Sequence, residues 1–163
     1  MFPVEIVQAD LNRTDHQHAV LELIDAYARD PMGNGRSLSV KVRRALIPAL
    51  QQHPTSLIFL AYSKDKAIGI ATCFLGFSTF IAKPLIHIDD LAVLPAHRNQ
   101  GVGRRLLAEI ERKALKMDCC KLTLQVQENN HQARRFYRAV GFVQAEYVKS
   151  AGVCLSLIKP ISS

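Results

Sequence analysis

A glycine-containing turn, Arg98-Asn99-Gln100-Gly101-Val102-Gly103, has the residue types that bind a phosphorylated ligand. It stands between an apolar run at 85–93, typical of a strand, and an amphipathic segment typical of a helix. Glycines let the backbone approach a ligand closely, and the first N–H groups of a helix have no partner within the helix. With the helix dipole and the arginines at 98, 104 and 105, this turn predicts a site for a diphosphate.

Two well-known glycine motifs do not fit this turn. A dinucleotide-binding fingerprint follows its strand directly and has a third glycine, but here seven residues separate Val93 from Gly101 and Leu106 holds the third position. A P-loop needs Gly-Lys-Ser/Thr, which this turn lacks. The remaining alternative for an isolated Gly-x-Gly is a tight loop that only begins a helix.

A second motif lies further along the chain, at 130–142. It has the spacing Asn130-x-x-Ala133-x-x-Phe136-Tyr137-x-x-x-Gly141-Phe142. This motif resembles one of the GNAT N-acetyltransferases, whose acetyl-CoA loop also has the pattern Arg/Gln-x-x-Gly-x-Gly/Ala that Arg98, Gly101 and Gly103 match. Both motifs occur in the family's order, and the resemblance covers about residues 85–142.

The resemblance implies a fold and an activity. The expected fold is mixed α/β: a mostly antiparallel sheet of six to seven strands, flanked by about four helices, in a single domain of residues 1–163. A splayed pair of strands would hold acetyl-CoA, with no metal required. The expected activity is direct transfer of an acetyl group from acetyl-CoA to a primary amine, without a covalent acyl-enzyme.

The resemblance also assigns residues to the cofactor. Backbone groups of Leu91 and Val93 would bind the pantetheine arm, and the Val93 N–H would face the thioester oxygen. Tyr137 would protonate the departing thiolate, and Asn130 would contact the cofactor besides capping its helix. The full predicted cofactor set is Leu91, Ala92, Val93, Arg98, Asn99, Gln100, Gly101, Val102, Gly103, Arg104, Asn130, Ala133 and Tyr137.

Asp89 and Asp90 are carboxylates in an otherwise apolar strand, so at least one should face water or a polar cleft. Family members that acetylate polyamines have Glu-Asp there, which implies that Asp89 accepts the proton of the amine through a water, with Asp90 also lining the acceptor site. Asp30, in a loop where the family places substrate contacts, would extend this acidic lining. The alternatives are a salt bridge for the pair and a turn role for Asp30.

The chain has a formal net charge of +7, which fits either a nucleic acid or a phosphorylated cofactor. The basic residues concentrate beside the two motifs, which favours the cofactor, and no nucleic-acid-binding motif is present. Four cysteines without metal-ligand spacing are predicted to be reduced and mostly buried. His87 and Asp89 would share a strand face, but a metal site lacks a third ligand nearby.

The 163 residues with 48% hydrophobic content can form one core. The apolar runs are too short to span a membrane, and the start, Met1-Phe2-Pro3-Val4-Glu5, lacks the features of a secretion signal, so we expect a soluble cytoplasmic protein. The acceptor is expected to be a small cationic amine. The alternatives are protein N-termini or lysines, or a CoA-binding regulatory module without catalysis. A homodimer is possible by resemblance.

Hydrophobic periodicity and turn signals predict the order of elements. We expect Ser39 to cap the second helix and Pro48 to kink or divide it. The predicted strands are 4–9, 57–62, 67–77, 85–93, 121–127, 142–149 and 153–158, and the predicted helices are 16–29, 39–50, 101–117 and 130–140.

Overall fold

A computed structural model of the protein describes residues 3–146 and 148–161. Met1 and Phe2 of the predicted start, and Tyr147 of the predicted final hairpin, lie outside the described residues. The chain forms two compact units, residues 1–125 and 126–163. The first contains β1 (Val4–Gln8), α1 (Thr14–Arg29), α2 (Val40–Gln52), β2 (Ser56–Ser63), β3 (Lys66–Ser78), β4 (Lys83–Val93), α3 (Val102–Lys116) and β5 (Leu122–Leu124). The second contains α4 (His131–Ala139).

The first unit is built on one sheet in the order β1-β2-β3-β4-β5. Strands β1 to β4 pair antiparallel, and β5 pairs parallel with β4. Adjacent residues of β3 show how both faces are covered, because successive side chains point to opposite faces. Ile70 belongs to a core cluster with Val20 and Leu23 of α1, whereas the Cα of Gly69 faces Val102 and Leu106 of α3. Helices α1 and α3 therefore pack on opposite faces.

The predicted fold class is confirmed: a mixed, mostly antiparallel α/β structure with four α-helices. Ser39 caps α2 as expected, since its side-chain oxygen accepts the Val42 N–H at 3.2 Å. Pro48 does not divide α2, which continues to Gln52. No helix among the described residues has both the length and the apolar character to span a membrane.

The predicted strand count was too high, because the described residues form a sheet of five strands instead of six or seven. Neither 142–149 nor 153–158 is a strand in its described residues, although the Cys154 N–H donates to the Ala145 carbonyl at 3.4 Å. Val143 and Leu157 are each 89% exposed. An alternating apolar pattern specifies a strand only when one face is buried, and these side chains have no such burial.

All four cysteines are free thiols, but they are less buried than predicted. Cys73 is buried on β3, Cys119 and Cys120 are half-buried, and Cys154 is exposed. The prediction therefore failed for Cys154, which lies in the exposed segment that the sequence pattern had indicated to be a strand.

A buried carboxylate connects α1 to the segment before α2. Asp25 accepts the Leu38 N–H at 2.9 Å and lies 3.2 Å from the Arg43 guanidinium and 3.5 Å from that of Arg29. The Leu38 N–H lowers the pKa of Asp25, and the two arginines add to this effect against the opposing cost of burial. The charged form of Asp25 is therefore favoured in the folded protein.

Replacing Asp25 by Asn should lower the free energy of unfolding by about 2 kcal/mol near neutral pH, because two arginines lose their buried anion while remaining partly solvated. Since the folded pKa is depressed, this stabilisation exists above the ordinary pKa of about 3.9 and is lost as the pH falls through the folded value. Urea denaturation at about pH 7 and about pH 3 measures both. Glu22→Gln, at the exposed second partner of Arg43, is the control. An equal loss at both pH values would contradict this account.

Candidate functional site

Strand β4 contains a bulge at the position of the predicted acidic pair. Thr72 of β3 lies opposite Asp90, but the next residue, Cys73, lies opposite Ile88. Asp89 is therefore the extra residue, and it is exposed. A bulge shifts the alternation of the strand by one residue, so the backbone groups beyond it face the other edge.

Hydrogen bonds on either side of the bulge show this reversal. The Ile86 N–H donates to the Lys121 carbonyl, towards β5, at 3.2 Å, whereas the Leu94 N–H donates to the Ile68 carbonyl, towards β3, at 2.9 Å. Peptide groups alternate between edges along a strand, so those of Leu91 and Val93 face away from β3. Pairing between β4 and β5 stops at Ile88, so no strand of the first unit pairs with this edge beyond the bulge in the part that the structure describes. Ala92, between Leu91 and Val93 in the sequence, has its N–H towards β3.

The predicted phosphate turn leads directly into α3. Gly101 is the N-cap with a φ of +80°, Asn99 has a φ of +60°, and no side chain caps the helix. The first hydrogen bond of the helix runs from the Arg105 N–H to the Gly101 carbonyl at 3.1 Å. The N–H groups of residues 102–104 therefore have no acceptor within the helix, and an atom placed at the Cβ position of Gly101 would meet nothing within 4 Å. This start of α3 is suited to an anion.

Gly69 allows the start of α3 to pack closely on the sheet. A Cβ there would lie 3.2 Å from the Ala92 carbonyl oxygen and 3.3 Å from the Val102 side chain. Val102 is buried as the first residue of the helix. The helix start is therefore held beside the carboxyl end of β4 by backbone approach as well as by the short turn between them.

Asp90 is the partly buried carboxyl of the acidic pair. The Thr72 hydroxyl donates a short hydrogen bond to Asp90 Oδ2 from the opposing strand. Burial raises the pKa of Asp90, the Thr72 hydrogen bond opposes this rise, and the neighbouring charge of Asp89 adds to it. Among the described residues, no ion pair neutralises either Asp89 or Asp90. This end of the sheet is thus a place where a cation would be stabilised.

Tyr27 of α1 belongs to the same polar region. Burial raises the pKa of its phenol, and the charges of Asp90, Asp30 and Asp89 each raise it further. Tyr27 therefore lies within electrostatic reach of all three carboxyls that the sequence singled out.

Asp30 and Arg98 form an ion pair that joins the end of α1 to the phosphate turn. Arg98 Nη2 lies 2.6 Å from Asp30 Oδ2, and Arg98 Nε donates to the Val93 carbonyl at 2.9 Å. Asp30 Oδ1 accepts the Met32 N–H at 2.9 Å. The Arg98 hydrogen bond lowers the pKa of Asp30, with a further contribution from Met32. Both carboxylate oxygens are engaged, so Asp30 takes the turn role considered as its alternative, and acceptor binding by Asp30 stays a prediction.

The remaining basic side chains of the turn differ in their contacts. Arg105 donates to the Val4 carbonyl at 2.8 Å, so it fastens α3 to β1. Arg104 is exposed, and Gln100 donates to the Ala96 carbonyl at 3.1 Å. Of the three arginines, Arg104 is the one whose charge is best available to an external anion.

The second unit contains the other predicted motif. Asn130 caps α4, since its Oδ1 accepts the Ala133 N–H at 3.1 Å. The half-buried Tyr137 ring packs between two aromatic rings, with centroid distances of 5.4 Å to Phe136 and 5.5 Å to Phe142. The Phe142 N–H donates to the Tyr137 carbonyl at 2.9 Å. The motif thus specifies a capped helix with an aromatic end, and the cofactor roles of Asn130, Ala133 and Tyr137 stay predictions.

The metal alternative gains no geometric support. His87 Nδ1 lies 2.9 Å from the Thr123 hydroxyl on β5. Among the described residues, no three metal-ligating side chains form a group.

The chain matches the model of a known protein family. The model of the acetyltransferase (GNAT) family matches residues 19–142, which is most of the chain. The chain therefore belongs to the GNAT acetyltransferase family, as its two motifs indicated.

Individual relatives agree with this assignment. An uncharacterized N-acetyltransferase of Bacillus subtilis is 31% identical over 98 residues, covering 60% of this chain and 66% of that protein. The thialysine N-epsilon-acetyltransferase of Bos taurus is 30% identical over 74 residues, covering 45% of this chain and 43% of that protein. The matches thus span less than two thirds of these relatives. A crystal structure of an aminoglycoside acetyltransferase from an uncultured soil metagenomic sample, in complex with sisomicin, has a TM-score of 0.75 at 20% identity, covering 96% and 97% of the two chains, and shows the shared fold.

The sequence did not reveal Thr72 as the hydrogen-bond donor to Asp90, or Tyr27 as a phenol within electrostatic reach of the three carboxyls. Thr72 is buried at 4% exposure inside an apolar strand, and only the strand register reveals Asp90 as its partner. For Tyr27, the available signal was its place near the end of a predicted helix, three residues before Asp30.

Thr72→Val keeps the side-chain shape but removes the hydroxyl donor, so the pKa of Asp90 should rise further. The variant should also lose about 1 kcal/mol of stability near neutral pH. This loss should shrink at acid pH, because the protonated carboxyl no longer needs the donor. Carbon-13 NMR titration of the aspartate carboxyls measures the pKa. Thr123→Val, on the neighbouring strand, is the control, and an unchanged Asp90 pKa would remove Thr72 from the site.

Proposed function

We propose that this protein transfers an acetyl group from acetyl-CoA to a primary amine, and that the amine is a small cation. The observation that carries the proposal is the layout of β4 in the first unit. In the described part of the chain, no strand pairs with its carboxyl-terminal edge beside the start of α3, and no ion pair is made by the two carboxyls at its bulge. Along this one strand, the carboxyl end beside α3 thus favours an anionic ligand, and the bulge favours a cationic one.

The residues present fit the cofactor that the family uses. The N–H groups of the first turn of α3 and the Arg104 side chain would hold the diphosphate. Peptide groups of Leu91 and Val93 would bind the amides of the extended pantetheine arm, as a further strand would. Acetyl-CoA would supply the acetyl group as a reactive thioester. In the second unit, Asn130 and Ala133 are the predicted additional contacts.

The acceptor is argued from the two unpaired carboxyls. An aliphatic ammonium has a pKa near 10.4 and must lose a proton before its nitrogen can attack a carbonyl carbon. Asp90 would attract the cation, and Asp89, exposed at the bulge, would take the proton through a water. The relative named for thialysine acts on a small amine, which is compatible with this proposal. The preference for a small amine over a protein terminus or a lysine side chain rests on the two carboxyls, because the relatives also include an N-alpha-acetyltransferase.

Direct transfer is favoured over a covalent acyl-enzyme. Cys73 follows Thr72, the residue opposite Asp90 on β3. Burial raises the pKa of its thiol to about 12, with Asp90 and Asp89 adding to the effect. The thiol stays protonated near neutral pH and is a poor nucleophile. The predicted cytoplasmic location, the absence of nucleic-acid and membrane partners, and the possible homodimer stay predictions.

Calorimetric titration with acetyl-CoA tests the cofactor without knowledge of the acceptor. A Kd in the micromolar range is expected, which corresponds to a binding free energy of about −8 kcal/mol. Thiol release should then be measured with a polyamine, an aminoglycoside, a peptide with a free N-terminus and a lysine peptide. Turnover with the first two supports the small-amine proposal. Binding without turnover favours a CoA-binding regulatory module, and salt-sensitive binding of nucleic acid without acetyl-CoA binding would overturn the proposal.

Tyr137→Phe should lower kcat about 100-fold and leave the Kd for acetyl-CoA nearly unchanged, because it removes a proton donor and retains the ring packing. Steady-state kinetics and calorimetry measure the two quantities. Tyr62→Phe, on β2 of the first unit, is the matched control and should leave both unchanged. Unchanged turnover in the Tyr137 variant would exclude it as the acid.

Asp89→Asn should lower kcat/KM for a cationic amine at least about tenfold, because it removes a negative charge and a proton acceptor together. The activity that remains should rise steeply with pH, as more of the free amine becomes available. The pH profile of kcat/KM for the wild type and the variant measures this. Asp65→Asn, in the exposed β2–β3 turn, controls for the loss of one negative charge. Identical profiles would remove Asp89 from the mechanism.

A further inference from the structure

We infer that Asp30 is a positioning residue: through Arg98 it fixes the Val93 carbonyl at the carboxyl end of β4 and thereby restrains the direction of the Val93 N–H. This inference rests on the proposed function, and it gives Asp30 and Arg98 a shared role in positioning the end of β4. Sequence reasoning had placed Asp30 in the acceptor site and Arg98 on the cofactor diphosphate.

The first step is the rigidity of Asp30 itself. Its side chain is only 15% exposed. Its backbone N–H donates to the Tyr27 carbonyl at 3.0 Å, and its own carbonyl accepts the Gly33 N–H at 2.8 Å. Its Oδ1 accepts the Met32 N–H. These contacts fix the Asp30 carboxylate independently of Arg98, and its Oδ2 contacts the guanidinium.

The second step is what Arg98 connects. One guanidinium contacts a carboxylate 68 residues away at 2.6 Å and a carbonyl five residues away at 2.9 Å. The planar guanidinium holds two acceptors in a fixed relation, which a lysine ammonium does not. The C-terminus of α1, the end of β4 and the start of the phosphate turn are thereby tied at one point.

The third step is the peptide that is held. Arg98 binds the carbonyl of the 93–94 peptide, and the Val93 N–H belongs to the preceding peptide, on the other side of the Val93 Cα. Within a strand, the N–H and carbonyl of one residue point to the same edge, so fixing the Val93 carbonyl restrains the direction of the Val93 N–H. That N–H is the predicted donor to the thioester oxygen. A donor contributes most to catalysis when its direction is set in advance. Because Val93 is the last residue of β4, it has no following strand residue to hold it.

Three variants separate this role from direct ligand contact. Asp30→Asn retains the acceptor for the Met32 N–H and so preserves the turn, Arg98→Lys retains the charge, and the double variant tests whether the two residues act as one unit. Arg13→Lys and Asp15→Asn are the matched controls, because Arg13 and Asp15 form an exposed ion pair of 2.7 Å elsewhere in the first unit.

The first readout needs no ligand. The Leu94 N–H donates to the Ile68 carbonyl and is the adjacent hydrogen bond of the β3–β4 ladder. In Asp30→Asn and in Arg98→Lys, amide hydrogen exchange at Leu94 should accelerate about tenfold, since the strand end loses its anchor. The control variants should leave it unchanged. An unchanged Leu94 exchange rate in Asp30→Asn would overturn the inference whether or not the protein is an acetyltransferase.

The second readout is kinetic, with an amine found by the thiol-release screen. Asp30→Asn should lower kcat about tenfold and leave KM for the amine within about twofold. The double variant should lose no more than the worse single variant, because both remove the same anchor. A raised KM with unchanged kcat would instead place Asp30 in contact with the acceptor. A weaker Kd for acetyl-CoA in Arg98→Lys alone would make Arg98 a direct ligand, and either result overturns the inference.

Discussion

The single extra residue at Asp89 is the constraint on which the rest of the site depends. Before it, the outward peptide groups of β4 bond to β5; beyond it, the peptide groups of Leu91 and Val93 take over that edge. Because β5 ends at Leu124, the edge is left open where the reversal occurs. Without the bulge, those two residues would direct their N–H groups into the β3–β4 ladder. One inserted residue thus produces both the exposed carboxyl and the open edge.

Three aspartates of the first unit differ in whether a cationic side chain neutralises their charge. Asp25 is buried but faces two arginines, and Asp30 meets Arg98. Asp90 is partly buried and accepts the Thr72 hydroxyl, it has no cationic partner among the described residues, and its pKa is raised instead of lowered. Burial of a charge without a partner is costly, so the unpaired carboxyl is the one where an external cation gains most. The electrostatics therefore single out the bulge region of β4 and not the α1–α2 loop.

Close packing places the anionic end of the site. Gly69 lets Val102 and Leu106 approach the sheet, and Arg105 fastens α3 to the carbonyl of Val4. The start of α3 is thereby held at the end of β4, with Gly101 in a conformation that favours glycine. These contacts place the start of α3, with its helix dipole and its unbonded N–H groups, beside the edge of β4 beyond the bulge.

The sequence by itself determined the local elements and the family. Helices α1 to α4 and strands β1 to β4 follow from periodicity, from caps such as Ser39 and Asn130, and from the glycine turn, because these signals act over a few neighbouring residues. Only the tertiary structure decided the bulge register, the Thr72–Asp90 bond and the pairing of Asp30 with Arg98, which join residues 18 and 68 positions apart. It also decided that β5 is short and that the described residues of the alternating segment after α4 form no strand. Alternation reports a strand only when a partner and a buried face exist, and those are properties of the assembled fold.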